Sequence, residues 1–427
     1  MSLTNTLYLG IDVGTSGVRS CLIDEAAAIR TEVSIPLPAP DRHGAAVEQA
    51  PEIWWSALTE NLDQLHHQHS LTDVAAITLD GTSSTLLCCD ASGGPLGPAL
   101  MYNDARATLE AQRIADIAPT DGAAHGASAS LAKLLWLQQT PACRSARHFL
   151  HQADWLLGKL CGHFDNSDEN NALKLGYDVI QRRWPDWLQA LDVPLDLLPT
   201  VVPAGHTIGT PTTQGCERWG LPTDTRILAG TTDSTASFIA TGAGPGDAVT
   251  ALGSTLVLKV LADQPLFAPE FGIYSHRLGD HWLVGGASNS GGAVLQAYFT
   301  AAEIERLSSL ISIDEPTGLD YYPLLANGER FPANDPALAP RLQPRPTDDV
   351  LFYQGILEGI AAIEVRGYQK LAELGIPWPK RIITTGGGAS NAPWRTMRAR
   401  LADIPVTAAT HQQAAYGTAL LALKGLS

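Results

Sequence analysis

One pattern occurs twice in this chain and limits what it can fold into: an apolar run, a turn of glycine and hydroxyl residues, then a second apolar run. Near the N-terminus Leu7 to Gly14 alternates, with Leu9, Ile11 and Val13 facing one way and Gly10, Asp12 and Gly14 the other. Thr15-Ser16-Gly17 then turns the chain into Val18 to Asp24. Period-two alternation closed by such a turn predicts a β-hairpin with Asp12 and the turn on its polar side. After the boundary-like cluster Gly242-Ala243-Gly244-Pro245-Gly246 the pattern restarts, with Val249 to Leu252, Gly253-Ser254-Thr255 and Leu256 to Leu261. The echo is weak in residue identity and strong in architecture. It predicts two similar α/β domains, residues 1–244 and 245–427, with a cleft between them.

Between these landmarks the chain alternates strand-like and helical stretches. Pro51 to His69 places Trp54, Leu58, Leu62 and Leu65 at helical spacing after a Pro51-Glu52 start. His66, His67 and His69 end it, and a solvated helix end accounts for them better than a metal site. Ala75 to Leu79, Thr85 to Asp90 and Pro98 to Tyr102 read as strands and Ala105 to Ile117 as a helix, which fits a mixed sheet. Arg226 to Gly230 reads as another strand, followed by a helix from Ser234 with Asp233 at its N-terminal edge. Residues 326–348, rich in Pro, Asn and Asp, read as a loop insertion.

Composition narrows the class. A chain of 427 residues exceeds one ordinary core, and 45% hydrophobic with 17% charged residues describes a soluble globular protein. A net charge of −16 argues against nucleic acid or an anionic membrane as partner. The same field repels a free nucleotide, so an ATP site here needs backbone amides and a metal. The six cysteines (21, 88, 89, 143, 161 and 216) show neither a Cys-x-x-Cys pair nor zinc spacing, and read as buried reduced thiols of a cytoplasmic protein. No apolar stretch is long enough to span a bilayer. Whether Met1-Ser2-Leu3 is native is left open by the sequence.

The chemistry concentrates where acids sit beside hydroxyls and glycines. In Asp12-Val13-Gly14-Thr15-Ser16, Gly14 permits close approach, Thr15 and Ser16 are donors to phosphate oxygens, and Asp12 is a candidate to hold Mg²⁺ through water. An ordinary hydroxyl-capped hairpin turn is the plain alternative. A second station, Gly230-Thr231-Thr232-Asp233-Ser234-Thr235, lies more than two hundred residues on, and the pair points to phosphoryl transfer in a nucleotide cleft. Thr384-Thr385-Gly386-Gly387-Gly388-Ala389-Ser390-Asn391 links a strand to a helix and lets a flat ring or phosphate lie against the backbone, or merely allows close helix–strand packing. Asn103 and Asp104 suit sugar hydroxyls, although on its own Asp104 reads better as the cap of the next helix.

The spacing of Ser128, Ser130, Lys133 and Trp136 resembles the signature of the FGGY carbohydrate kinases, and the resemblance extends over most of the chain. It implies two ribonuclease-H-like domains of the actin and hexokinase superfamily. It implies that Gly14, Thr15 and Ser16 form the first phosphate loop, that Gly253, Ser254 and Thr255 form the second, and that Gly386, Gly387, Gly388 and Asn391 hold the adenosine. Asp233 is implied as catalytic base and, with Asp12, as a holder of Mg²⁺. Asp104 corresponds to the sugar-contacting acid of xylulose kinases. Those enzymes carry a Gly-x-Ser-x-Gln-x-His-Gly segment where this chain has Gly81-Thr82-Ser83-Ser84-Thr85-Leu86-Leu87, without the Gln and His, and Thr82 is the candidate contact there. Asp168 to Asp178, Tyr274 to Leu278 and Gly285 to Asn289 look like the short cyanobacterial and plant branch once named xylulose-kinase-like, which is associated with D-ribulose. Asn171 and Lys174 are sugar contacts only through that resemblance; each reads as well as a surface group on a turn.

The expectation is an ATP- and Mg²⁺-dependent kinase acting on the terminal hydroxyl of a ketopentose, D-ribulose foremost and D-xylulose next, with domain closure excluding water. A homodimer is possible; nucleic acid and membrane are not expected partners. A superfamily ATPase or phosphatase would keep both phosphate loops without needing the Ser-x-Ser-x-x-Lys-x-x-Trp segment. A non-catalytic sugar sensor would be expected to lose the base, whereas Asp233 is in place.

Overall fold

The computed structural model describes residues 6–425, and Met1-Ser2-Leu3 lie outside them. By packing, the chain forms two units: residues through Ala240 together with those from Gln413 onward, and Thr241–Gln412.

The first unit is built on a mixed seven-stranded sheet. Its order is Thr207–Gly209, Arg226–Leu228, Val74–Gly81, Leu7–Val13, Gly17–Asp24 and Ile29–Pro36, with Thr231–Thr232 pairing at the end of Val74–Gly81. The expected hairpin is present, Leu7 opposite Asp24 through to Val13 opposite Val18. Its supposed polar face is nevertheless covered, and all of Leu7–Val13 is buried. Leu9, Ile11 and Val13 pack with Trp54, Leu58, Leu62 and Leu65 of the helix Pro51–Gln68. On the other face Tyr8, Cys21 and Ala76 pack with Ala415, Ala419 and Ala422 of the helix Ala414–Lys424. That helix rides so close that a Cβ on Gly10 would lie 2.0 Å from the Ala419 nitrogen. The last helix therefore belongs by packing to the first unit, although in chain order it falls within residues 245–427.

A five-stranded sheet that the sequence did not suggest also lies in the first unit, in the order Asp41–His43, Ala46–Gln49, Ala99–Leu100, Leu86–Cys89 and His148–His151. Here the cysteine expectation is corrected. The turn Ala142–Ser145 sets Cys143 against Cys88 of the strand Leu86–Cys89, and the two form a disulfide across 55 residues. Cys21, Cys89 and Cys161 are buried free thiols, and Cys216 is half-buried. The pairing depends on how a helical segment folds back on the sheet, which no local spacing signals.

The second unit repeats the scheme in a six-stranded sheet, in the order Tyr274–Leu278, His281–Ser288, Leu256–Ala262, Asp247–Leu252, Arg381–Thr385 and Val406–Ala408. Asp247–Leu252 pairs antiparallel with Leu256–Ala262 and parallel with Arg381–Thr385, as Leu7–Val13 does with Gly17–Asp24 and Val74–Gly81. Its core holds an ion pair: Arg398 donates from Nε and Nη2 to Glu364, both at 2.6 Å. Residues 326–348 form turns and isolated bridges, as the composition predicts. Among the described residues no helix is long and apolar enough to cross a membrane.

Candidate active site

In the first unit three strand ends meet at one corner. Asp12 is in parallel register with Asp80, Thr231 aligns with Asp80, and Thr232 aligns with Gly81. The helix Asp233–Ala240 begins directly after. Open α/β sheets bind ligands at this carboxyl end of their strands. Asp233 is half-buried, and its Oδ1 accepts from the Ser234 amide at 2.6 Å.

The acids at this corner are not equivalent. Asp12 is buried, and desolvation raises its pKa; Arg19, opposite it in the hairpin, opposes the rise by donating from Nη1 to Oδ2 at 3.0 Å. Asp80 is fully enclosed. Burial first, then the charges of Asp12 and Asp233, push its pKa well above the ordinary carboxylate range. Thr418, on the last helix, donates to its Oδ2. Sequence reading missed both Arg19 and Asp80. The available signal for Asp80 was an acid closing an apolar run just before glycine, the same context as Asp12.

The turn after Asp12 is closed by Gly14, whose amide donates to the Gly17 carbonyl at 3.0 Å. Among the described residues the amides of Thr15 and Ser16 have no hydrogen-bond partner, which suits them to phosphate oxygens. Asp12 and Asp233 are carboxylates at this corner, a donor set that would suit Mg²⁺ held through water, and no group of three close ligating side chains occurs among the described residues. Mg²⁺ keeps several waters and needs few protein ligands.

Beside this corner lie the groups expected to meet a sugar. Gln152, remote in sequence, accepts at 3.0 Å from both the amide and the hydroxyl of Thr82, and Thr82 also hydrogen-bonds Thr85 at 2.6 Å. Buried polar atoms left without a partner include Gln152 Nε2, Ser84 Oγ, Ser130 Oγ, Asn103 Oδ1 and Asn171 Oδ1. Unpaired buried polar atoms are uncommon and costly. Asn171 donates from Nδ2 to Asp168 at 2.6 Å, so only its Oδ1 remains. Lys174 is half-buried and its charge is felt by Lys133.

Asp104 has a different setting from the one expected. It is fully buried, and its oxygens accept from the Val47 amide at 2.6 Å, the Arg106 amide at 3.1 Å, and Arg106 Nε and Nη2 at 2.9 and 2.7 Å. A sugar hydroxyl would have to displace one of these donors. Nor does Asp104 cap a helix, since the helix Thr108–Ile117 starts four residues later without a side-chain cap. The short link from 104 to 106 lets the arginine fold back on the carboxylate.

The second unit offers a cavity of about 700 Å³, within the range of nucleotide sites. Gly253, Ser254, Gly387, Gly388 and Asn391 line it, as expected, together with Leu295, Tyr353 and Trp394. The amides of Ser254 and Thr255 have no partner among the described residues. The glycines divide the work. Gly387 has nothing within 4 Å of a would-be Cβ, whereas a Cβ on Gly388 would strike the Trp394 ring at 2.7 Å. Gly386 is bent into the left-handed region at φ 78°, where a Cβ would lie 2.6 Å from the Leu252 carbonyl. Asn391 caps the helix Ala392–Ala402 by accepting from Trp394 at 3.0 Å and donates to Ser308 at 2.9 Å.

Comparison with known proteins agrees with this geometry. The model of the N-terminal domain of the FGGY family of carbohydrate kinases matches residues 7–240, and that of its C-terminal domain matches residues 248–426. The xylulose kinase of Escherichia coli (strain K12) is 28% identical over 417 residues, covering 93% of this chain and 84% of that protein. Among solved structures, xylulose kinase from Rhodospirillum rubrum superposes with a TM-score of 0.86 at 22% identity, covering 99% of this chain and 90% of its own. Plasmodium falciparum glycerol kinase with ADP gives 0.87 at 16% identity, covering 99% and 90%.

Proposed function

The chain belongs to the FGGY family of carbohydrate kinases and is an ATP-dependent sugar kinase; we propose that its acceptor is the terminal hydroxyl of a ketopentose, D-ribulose foremost. The observation that carries this reading is the acid corner of the first unit, where Asp233 opens a helix near Asp12 and the buried Asp80, whose pKa is raised by burial and by both neighbouring acids. Asp233 accepts the proton of the attacking hydroxyl as the new bond to phosphorus forms, a role that typically contributes ~10²–10⁴-fold. The amides and hydroxyls of Thr15 and Ser16, and of Ser254 and Thr255, are donors for the charge that spreads over the transferring group. Asp12 and Asp233 are the residues to hold Mg²⁺ through water; when bound, the cation neutralises phosphate charge. The cavity lined by Gly253, Gly387 and Asn391 is the seat for the nucleotide.

For the acceptor, the loop Gly81 to Leu87 supplies the hydroxyls of Thr82, Ser84 and Thr85 and neither a Gln nor a His, which favours D-ribulose. Asn103, Asn171 and Lys174 are the further contacts, and Asp104 acts mainly by holding the loop of Asn103 through Arg106. D-xylulose is the second reading, favoured by the names of the relatives. The test is ADP release from Mg-ATP against ketopentoses, aldopentoses, glycerol and pentitols, run beside Asp233→Ala. Turnover on D-ribulose that the substitution removes is the expected result. Preference for D-xylulose would replace the acceptor alone, and ADP release indifferent to every sugar would defeat the reading.

A further inference from the structure

We propose that Lys133 is a positioning residue that sets the spacing between the two acceptor loops, and so the affinity for the sugar. The proposal rests on the acceptor site assigned above to the first unit. Lys133 lies on the helix Ser130–Gln138 and is fully buried. Its Nζ donates at 2.7 Å to the Ser84 carbonyl and at 2.7 Å to the Met101 carbonyl. Those carbonyls belong to separate segments, one carrying Thr82 and Ser84, the other leading into Asn103 and Asp104.

A buried ammonium is an expensive way to fill space, since leucine or methionine would fill it without desolvation. Its use here is directional. Ser84 is held at φ 69°, a conformation unfavourable for a non-glycine residue that persists only where the surroundings enforce it. The Lys133 bond to the Ser84 carbonyl is one contact that holds this bend, beside the Thr85 amide bond to the Thr82 carbonyl. Burial lowers the Lys133 pKa to about 7 against the opposing pull of Asp104. A neutral amine keeps two N–H donors, enough for both carbonyls, so the bridge does not depend on the charge.

One turn further along the same helix, Trp136 lies under the Arg106 guanidinium, 4.8 Å from its ring centre. Arg106 in turn clamps Asp104 and reaches Glu48 at 2.7 Å. Lys133 thus fixes the second loop by its backbone, and Trp136 supports it through a side-chain stack. This gives the Lys-x-x-Trp spacing a physical purpose: two residues on one helical face hold the floor on which the acceptor loops stand.

The experiment compares wild type, Lys133→Met and Lys133→Arg by steady-state kinetics with D-ribulose, by ATP titration, and by hydrogen exchange of residues 82–85 and 101–104. Lys133→Met removes both donors at similar length. It is expected to raise the D-ribulose KM at least tenfold with ATP affinity within twofold of wild type, and to speed exchange in both segments. Lys133→Arg keeps donors on a longer, planar head and is expected to fall between. An unchanged sugar KM in a folded Met variant, or parallel losses of sugar and ATP affinity, would overturn the proposal. If the Met variant does not fold, the Arg variant decides: wild-type sugar KM with wild-type exchange at both segments overturns it, and a raised KM with faster exchange supports it. If wild type itself turns over no ketopentose, the acceptor reading fails on that result, and the exchange comparison alone judges the bridge.

Discussion

At the paired ends of Leu7–Val13 and Val74–Gly81 the first unit presents Asp12 in register with Asp80. At the matching ends of Asp247–Leu252 and Arg381–Thr385 the second unit presents Ala251 in register with Thr385, followed by Gly253 and Gly386. The strand scheme is shared, and the side chains at the corner are not. Carboxylates suit a proton acceptor and a hydrated cation; glycines and unpartnered amides suit phosphate and a flat ring. The buried charges differ in kind as well. In the second unit Glu364 and Arg398 satisfy each other in the core, with Thr250 and Thr384 completing their bonds. In the first unit the buried acids Asp80 and Asp168 have no such counter-ion among the described residues, and their pKa values rise. The duplicated strand scheme thus carries buried acids in one unit and a buried ion pair in the other.

The sharpest way to break this contrast is Asp233→Ala. Sugar-dependent ADP release should fall about 10²–10⁴-fold while ATP affinity stays within about twofold. Comparable losses in both, measured by coupled assay and ATP titration, would mean that the corner also serves the nucleotide. Next is Arg398→Met, which strands Glu364 in the core. Denaturant unfolding should show a loss of about 3–5 kcal/mol, and a loss near zero would say that the pair is not the buried anchor of the second unit.

Gly386→Ala should act on the nucleotide alone. The strained φ and the Leu252 carbonyl at 2.6 Å make a cost of about 1–3 kcal/mol, or roughly 5–150-fold in ATP affinity, at unchanged sugar KM. An equal rise in sugar KM would blur the division. The last prediction concerns pH. Asp168 is fully buried, and desolvation, followed by the charge of Asp154, raises its pKa to about 7. The folded state therefore keeps a proton that the unfolded chain releases above about pH 4, and wild type loses up to about 1.4 kcal/mol per pH unit between 4 and 7 from this group. Asp168→Asn should match wild type near pH 4 and become progressively more stable up to pH 7. Parallel stability curves would show that Asp168 is ionised throughout.

Much of this contrast is legible in the residues. The alternation of Leu9, Ile11 and Val13 marks the hairpin, and its repetition at Val249 to Leu261 marks the second unit, because a strand's side chains must alternate between faces whatever surrounds it. Gly387 and Asn391 were readable as candidates because a glycine turn before a helix can take a phosphate or a flat ring, although close packing gives the same pattern, and Gly253 was readable from the echo of the first hairpin turn. Asp80 was not legible, since an acid ending a strand looks like any polar residue until its neighbours are known. Gln152 gave no signal either; it reaches Thr82 across 70 residues. Asp104 read as a sugar contact or a helix cap, and only the folded loop shows Arg106 turned back on it.

By itself the sequence determined the two sheet scaffolds, the turns that end their central strands, and the acid and hydroxyl residues at those turns, all set by chain-local spacing. Tertiary structure decided the rest. It docked the last helix on Gly10, closed Cys88 on Cys143, raised the pKa of Asp80, and put Lys133 beneath two loops that its own helix does not adjoin in sequence. Each of these depends on burial and on partners dozens to hundreds of residues away, and desolvation and close packing arise only when those segments meet.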